Sequence, residues 1–220
     1  MVSTSSKKAI SKEQAYCLET LGKTKLIKNF YLAGGTALAI LLEHIKSVDL
    51  DFFSQDLFDN KILLNEIVSF FKSKIVPKLQ SKGTLYIQYG DVELSFIHFP
   101  YKMIDKKIRS IYNFDFAGLK DIAAMKLSAI TGRTTRKVFI DIYFLLKEKF
   151  SFEQIVSYYI KKFGQDFYNE VIITKSLMTF ETYDEKKKPA LLKPFDWQEA
   201  KNFILKEAAH YFRSHATKPQ

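Results

Sequence analysis

Cysteine is almost absent from this chain: Cys17 is the single one in 220 residues. One thiol cannot build an internal disulfide framework or a zinc site made of several cysteines. In a helix-like stretch it reads as a small core residue. Also missing is any run of about 18 uncharged apolar residues, so no membrane-spanning helix is expected. The opening residues, MVSTSSKKAISKEQ, hold no apolar core of the kind a secretory signal needs. The expectation is a cytoplasmic protein with no membrane partner. No internal repeat and no long low-complexity segment is present either.

What the chain does have is core material and positive charge. Apolar residues make up 47 %, with 20 Phe and 12 Tyr, enough for one large domain or two small ones. The formal charge is +10, which favours a polyanionic partner such as a nucleotide or nucleic acid, although many soluble proteins are basic. The distribution is uneven. Residues 102–149 carry eleven Lys and Arg against five Asp and Glu, a net of +6, while residues 49–59 carry four Asp and no base. An acidic spot on a basic protein suits metal-assisted chemistry on a phosphate polyanion.

Periodicity divides the chain into an α+β part and a helical part. Residues 9–28 read as a helix, 30–33 as a short strand, 36–45 as a helix and 48–54 as a strand. A helix is expected over 59–76, stopped by Pro77. TLYIQY and VELSFIHF, joined at Gly90-Asp91, read as a hairpin over 84–99, with Asp91 in the turn. Helices follow at 117–131, 135–149, 151–163, 166–179 and 196–213. Ser151 with Gln154, and Asp196 with Glu199, fit as caps. YDEKKKPALLKPF, residues 183–195, reads as a connection. The domain expectation is 1–115 for the α+β part and 116–220 for a helical part packed against it.

The stretch FYLAGGTALAILLEHIKSVDLDFFS, residues 30–54, carries the chemistry. Alternation places Asp49, Asp51 and Phe53 on one strand face, with the two carboxylates about 7 Å apart at Cα. Forced together without a cation, they repel and resist ionisation. Mg²⁺ prefers such hard oxygen ligands and keeps positions open for phosphate. A bare D-x-D is equally the solvated face of an edge strand. Here, however, Gly34-Gly35 follows a strand and opens a helix. Glycine admits a phosphate close to the backbone, and the first N–H groups of a helix attract an anion. Thr36, thirteen residues before Asp49, can cap that helix or bind phosphate.

Strand, Gly-Gly, helix and D-x-D together resemble the catalytic core of the polymerase-beta-like nucleotidyltransferases. YLAGGTALAI and SVDLDFF, followed by LKDIAAMKLSAITGRTTRKVFIDIYFLL, resemble more narrowly the AbiEii/AbiGii toxin family of nucleotidyltransferases. The likeness runs from about residue 29 to 213. It implies a fold with a small mixed-sheet nucleotidyltransferase core followed by a helical part that completes the active site.

Two charges in the helical part are anomalous on their own terms. Lys126 lies on a face with Ile122, Ala123, Ala129 and Ile130, where it either snorkels to solvent or is aimed at a triphosphate. Asp141 lies between Val138 and Leu145 in an otherwise apolar helix, so it needs a cation or hydrogen bonds; Arg136 and Lys126 are the available partners. The resemblance implies that Lys126 binds nucleotide phosphates, that Asp141 is essential, and that Arg133 and Arg136 are phosphate contacts. Superfamily members often use a third carboxylate on a later strand. Glu93, which shares a face with Ser95, either fills that place as a metal ligand or is a surface residue. His44 fits a packing or hydrogen-bonding role, and Glu181 matches one acidic position of the family's last connection.

The resemblance implies an Mg²⁺-dependent (or Mn²⁺-dependent) enzyme of a type IV toxin–antitoxin or abortive phage infection pair. It would move a nucleoside monophosphate from GTP or a pyrimidine NTP to an acceptor such as tRNA, and a cognate antitoxin would be its partner. The alternatives are a nucleic-acid-binding module that kept the fold and lost catalysis, and a transferase acting on a protein or small molecule.

Overall fold

The computed structural model describes residues 8–71, 75–132, 135–180 and 189–216. It divides into two compact units, Met1–Gly118 and Leu119–Gln220.

In the first unit, helix α1 (Lys12–Leu21) starts at Ser11. The Ser11 hydroxyl accepts the Gln14 N–H at 3.0 Å, and the Gln14 side chain accepts the Ser11 N–H at 2.9 Å. Such a reciprocal cap contributes about 1 kcal/mol. The helix expected over 9–28 is broken at Gly22, where a Cβ would collide with the Tyr112 carbonyl. A 3₁₀ turn, Leu26–Asn29, then leads into strand β1 (Tyr31–Ala33), helix α2 (Gly34–Leu42) and strand β2 (Leu50–Ser54). Helix α3 (Asn60–Phe71) and strands β3 (Ile75–Ser81), β4 (Thr84–Tyr89) and β5 (Val92–His98) follow, then two short strands, β6 (Ile108–Arg109) and β7 (Asp115–Phe116).

These strands form one mixed sheet in the order β3-β4-β5-β2-β1-β7-β6. β2 is central, antiparallel to β1 and parallel to β5. Its alternation sorts the two faces: Leu50 and Phe52 are buried, and Phe52 stacks on Phe96 of β5 at 5.2 Å. The Gly90-Asp91 turn forms as expected, with Gly90 at φ +55. Pro77 departs from expectation. It does not end a helix but lies inside β3, which among the described residues pairs only with β4, and the pairing shifts register between Pro77 and Leu79. An edge strand tolerates proline because one side of it owes no ladder hydrogen bond.

Cys17 is fully buried, and burial, with a smaller push from Glu13, raises its thiol from 9.0 to about 12. It is an inert core residue, as its isolation implied.

The second unit is helical: α4 (Leu119–Thr131), α5 (Arg136–Glu148), α6 (Phe152–Phe163), α7 (Glu170–Met178) and α8 (Trp197–Ala216). Ser151 and Gln154 form a capping box at α6, and the Asp196 carboxylate accepts the Glu199 N–H at 2.7 Å at the start of α8. Helix α4 packs against α5, α6 and α7, burying Ile122, Leu127 and Ile130. Among the described residues no helix is long and apolar enough to cross a membrane.

Candidate active site

In the first unit the glycine turn meets Asp51, and helix α2 meets the backbone of Asp49. Tyr31, Leu32 and Ala33 pair with Phe53, Phe52 and Asp51, so β1 ends beside Asp51, the second residue of β2. Gly34 follows immediately, at φ +66, a conformation that costs an L side chain energy and glycine little. A Cβ there would lie 2.5 Å from Asp51 Oδ2 and 3.3 Å from Asp51 Cβ. The missing side chain therefore lets the β1–α2 backbone come against the Asp51 carboxylate. Gly34→Ala combines left-handed strain with this collision. The expected result is a stability loss of about 1–3 kcal/mol, measured by urea unfolding, together with loss of activity. An alanine variant that unfolds at the wild-type midpoint would contradict this account of Gly34.

Thr36 has a different task from the cap read in the sequence. The N-cap of α2 is Ala33, with no side-chain cap. The Thr36 hydroxyl is buried, donates to the Asp49 carbonyl, and lies 2.7 Å from Ser47 Oγ. Ser47 in turn donates its N–H to the Ala9 carbonyl at 3.0 Å. Thr36 thus ties helix α2 to the backbone that carries the first aspartate. His44 is fully buried, consistent with packing.

Asp49 and Asp51 are both half-buried. Asp51 pairs with Ser95 across the parallel β2–β5 ladder, which puts Ser95, and Glu93 two residues before it, on the face of Asp51. Glu93 is half-buried and stands opposite Gln88 of β4. Among the described residues no three or more His, Cys, Asp or Glu gather closely enough to hold a metal ion. Glu93 shares the face without closing such a cluster. Asp51 against a glycine backbone, with Asp49 two residues before it, supplies hard oxygen donors of the type that a divalent cation takes together with phosphate oxygens and water.

In the second unit Lys126 reaches Asp141. The ammonium lies 2.6 Å from Asp141 Oδ2, with the lysine side chain 10 % exposed and the carboxylate fully buried. Of the two partners open to Asp141 in sequence, the helix pair α4–α5 selects Lys126. Arg136 instead places its guanidinium over the Trp197 ring, 4.6 Å from the centroid. Arg133 and Glu181 lie outside the described residues.

A second buried pair escaped the sequence reading. Lys162 of α6 donates to Asp121 of α4 at 2.7 Å, and both side chains are fully buried. In sequence, Asp121 looks like a first-turn acid and Lys162 like a last-turn base, both ordinary at exposed helix ends. The available signal was position on the apolar stripe: Lys162 stands three residues after Tyr159, and Tyr159 and Phe152 are both buried.

Comparison with known proteins is consistent with this geometry. Residues 16–213 match the family model described as nucleotidyl transferase AbiEii toxin, type IV TA system. The chain belongs to this family of nucleotidyltransferase toxins. An uncharacterized protein of Aquifex aeolicus (strain VF5) is 32 % identical over 210 residues, which cover 93 % of this chain and 98 % of that one. Among solved structures, a protein of H. pylori designated a nucleotidyltransferase matches with TM-score 0.55 and 18 % identity, over 95 % of this chain and 96 % of its own. MenT4, a nucleotidyltransferase toxin of Mycobacterium tuberculosis H37Rv, matches with TM-score 0.58 and 14 % identity, over 89 % of this chain and 80 % of its own. At these identities the structural likeness speaks for the fold, which is the mixed-sheet nucleotidyltransferase core with helices expected from the sequence. The AbiEii family implies an NTP substrate.

Proposed function

We propose that this nucleotidyltransferase is the toxin of a type IV toxin–antitoxin or abortive-infection pair. It moves a nucleoside monophosphate from GTP or a pyrimidine NTP to an RNA acceptor such as tRNA, with Mg²⁺ or Mn²⁺ as cofactor. The observation that carries this reading is the seating of the Gly34 backbone against the Asp51 carboxylate. It joins a phosphate-accepting turn to a metal-binding residue.

Asp49 and Asp51 would hold the cation, which when bound would polarise the phosphate under attack and neutralise charge on the leaving group. Gly34 and Gly35, at the start of α2, offer backbone N–H groups and the positive end of the helix to phosphate oxygens. Thr36 keeps Asp49 in place from behind. Lys126 is the triphosphate-binding lysine of this reading. Asp141, 2.6 Å away, fixes where its ammonium stands. A cognate antitoxin is the expected protein partner.

The test uses purified protein with each α-labelled NTP and total RNA, with Mg²⁺ and then with excess chelator. Label on RNA that requires the cation is the expected result. Label that appears only on protein or on small molecules overturns the RNA acceptor. Transfer at full rate in chelator overturns the cation.

A further inference from the structure

At the other end of β1 from Gly34, the first unit holds a cleft of about 640 Å³ to which neither the glycine turn nor the aspartates contribute. Its walls are residues 22–28 and 109–115. Lys23, Lys25, Lys28 and Arg109 line it and are exposed, against one half-buried carboxylate, Asp115. Among the described residues none of these four cations is in an ion pair.

The walls are built rather than incidental. Gly22 sits against the Tyr112 carbonyl so closely that a Cβ would collide with it, and the Asn113 amide donates to the Gly22 carbonyl at 3.3 Å. Asn113 adopts φ +63. Within the turn, the buried Ser110 hydroxyl donates to the Phe114 carbonyl and accepts the Tyr112 N–H at 3.1 Å. On the opposite wall the Thr24 hydroxyl, also buried, donates to the Leu21 carbonyl at 2.8 Å. The local polar groups are thus spent on the frame, and what faces the cleft is mainly fixed positive charge. Four cations around a polar hollow suit a ligand with several phosphates in a row.

We propose that this cleft is a second, separate site that grips the phosphodiester backbone of the acceptor RNA; the inference rests on the RNA acceptor of the reading above. The sheet register sets the spacing. Asp115 pairs with Tyr31 and Asp51 with Ala33, on strands either side of β1. Their Cα atoms are then about 12 Å apart from strand rise and spacing. A single RNA chain spans that interval, so the cleft can hold the acceptor while its end lies at the aspartates.

The experiment measures binding of fluorescein-labelled total tRNA to the full chain by anisotropy, across a salt series. Lys23, Lys25, Lys28 and Arg109 are changed together to Gln. A control changes four exposed lysines elsewhere in the same unit, Lys46, Lys61, Lys78 and Lys82, to Gln. Expected for the cleft variant are at least a tenfold weaker Kd near physiological salt and a salt slope shallower by about 3, from about 0.7 per phosphate contact. The control should retain most of the affinity and slope. Equal losses in both variants overturn the proposal, since net charge alone would then account for binding. So does wild-type affinity in the cleft variant, absence of RNA binding by the wild type, or binding by the cleft to anionic phosphatidylserine vesicles instead. The two readings fail separately. Should Asp51→Asn still transfer label while the cleft variant loses RNA, the site assigned to catalysis is wrong and the cleft stands. If Asp51-dependent label reaches only a protein or small molecule, and RNA does not bind, the cleft proposal falls and nucleotidyl transfer remains.

Discussion

Asp51→Asn should lower label transfer by about three orders of magnitude, roughly 4 kcal/mol of transition-state stabilisation. The substitution keeps the size of the side chain that Gly34 packs against, where an added Cβ would stand only 2.5 Å from Oδ2. It removes the negative charge that would hold a cation. The pairing of Ala33 with Asp51, and of Asp51 with Ser95, involves backbone groups and survives. Unfolding by urea should therefore stay within about 1 kcal/mol of wild type, as for a substitution that makes no cavity and strands no buried charge. The measurement is a single-turnover assay with α-labelled NTP. A loss below tenfold would place the chemistry away from this residue. A matching collapse of stability would make the effect structural.

Lys162→Met should be the most destabilising of the substitutions considered, at about 3–5 kcal/mol. It removes the ammonium that stands 2.7 Å from a fully buried Asp121 carboxylate. That charge remains inside the helical unit, between α4 and α6. For a chain of this size the loss corresponds to a fall in Tm on the order of 10 °C. The companion change decides the mechanism. Asp121→Leu combined with Lys162→Met replaces the pair with apolar side chains and should recover most of the loss, because the cost of burying two ions disappears with them. Thermal and urea unfolding followed by helical circular dichroism reads both. If the double variant is no better than the single one, the pair contributes through packing and not through charge.

The two ion pairs on α4 have opposite polarity. Asp121 in its first turn binds a lysine of α6, and Lys126 binds an aspartate of α5. One helix is thereby anchored to α5 and to α6 by charges that cannot be exchanged without burying like charges together. The buried apolar positions of α4 and α5 carry no charge that would fix one register. The two pairs do, which makes them register pins for the lysine that the proposed reaction uses.

Much of this protein could be read from single residues and their spacing. The glycine pair before a helix, the alternating aspartates and the Gly90-Asp91 turn are local signals, each set by backbone stereochemistry within a few residues. Lys126 and Asp141 stood out because a charge within an apolar stripe is locally anomalous. Strands β6 and β7 had no such signal. Two residues each are too short to show any period, and they exist because β1 offers an unpaired edge. Residues 75–81 were misread because a proline is a local stop sign, whereas its fate depends on whether a strand has a neighbour on one side or two.

By itself, then, the sequence determined the order of helices and strands over most of the chain, the residue types of the proposed phosphate-and-metal site, and the excess of positive charge. All of these follow from periodicity, turn chemistry and composition, which act over short distances. Only the tertiary structure decided which partner Asp141 takes, that Thr36 ties down Asp49 and caps nothing, that Asp121 and Lys162 are buried together, and that residues 22–28 and 109–115 close a basic cleft. Each of those depends on bringing together groups from separate elements, some more than 80 residues apart. No local preference encodes such a meeting; it follows from how the sheet and the helices pack.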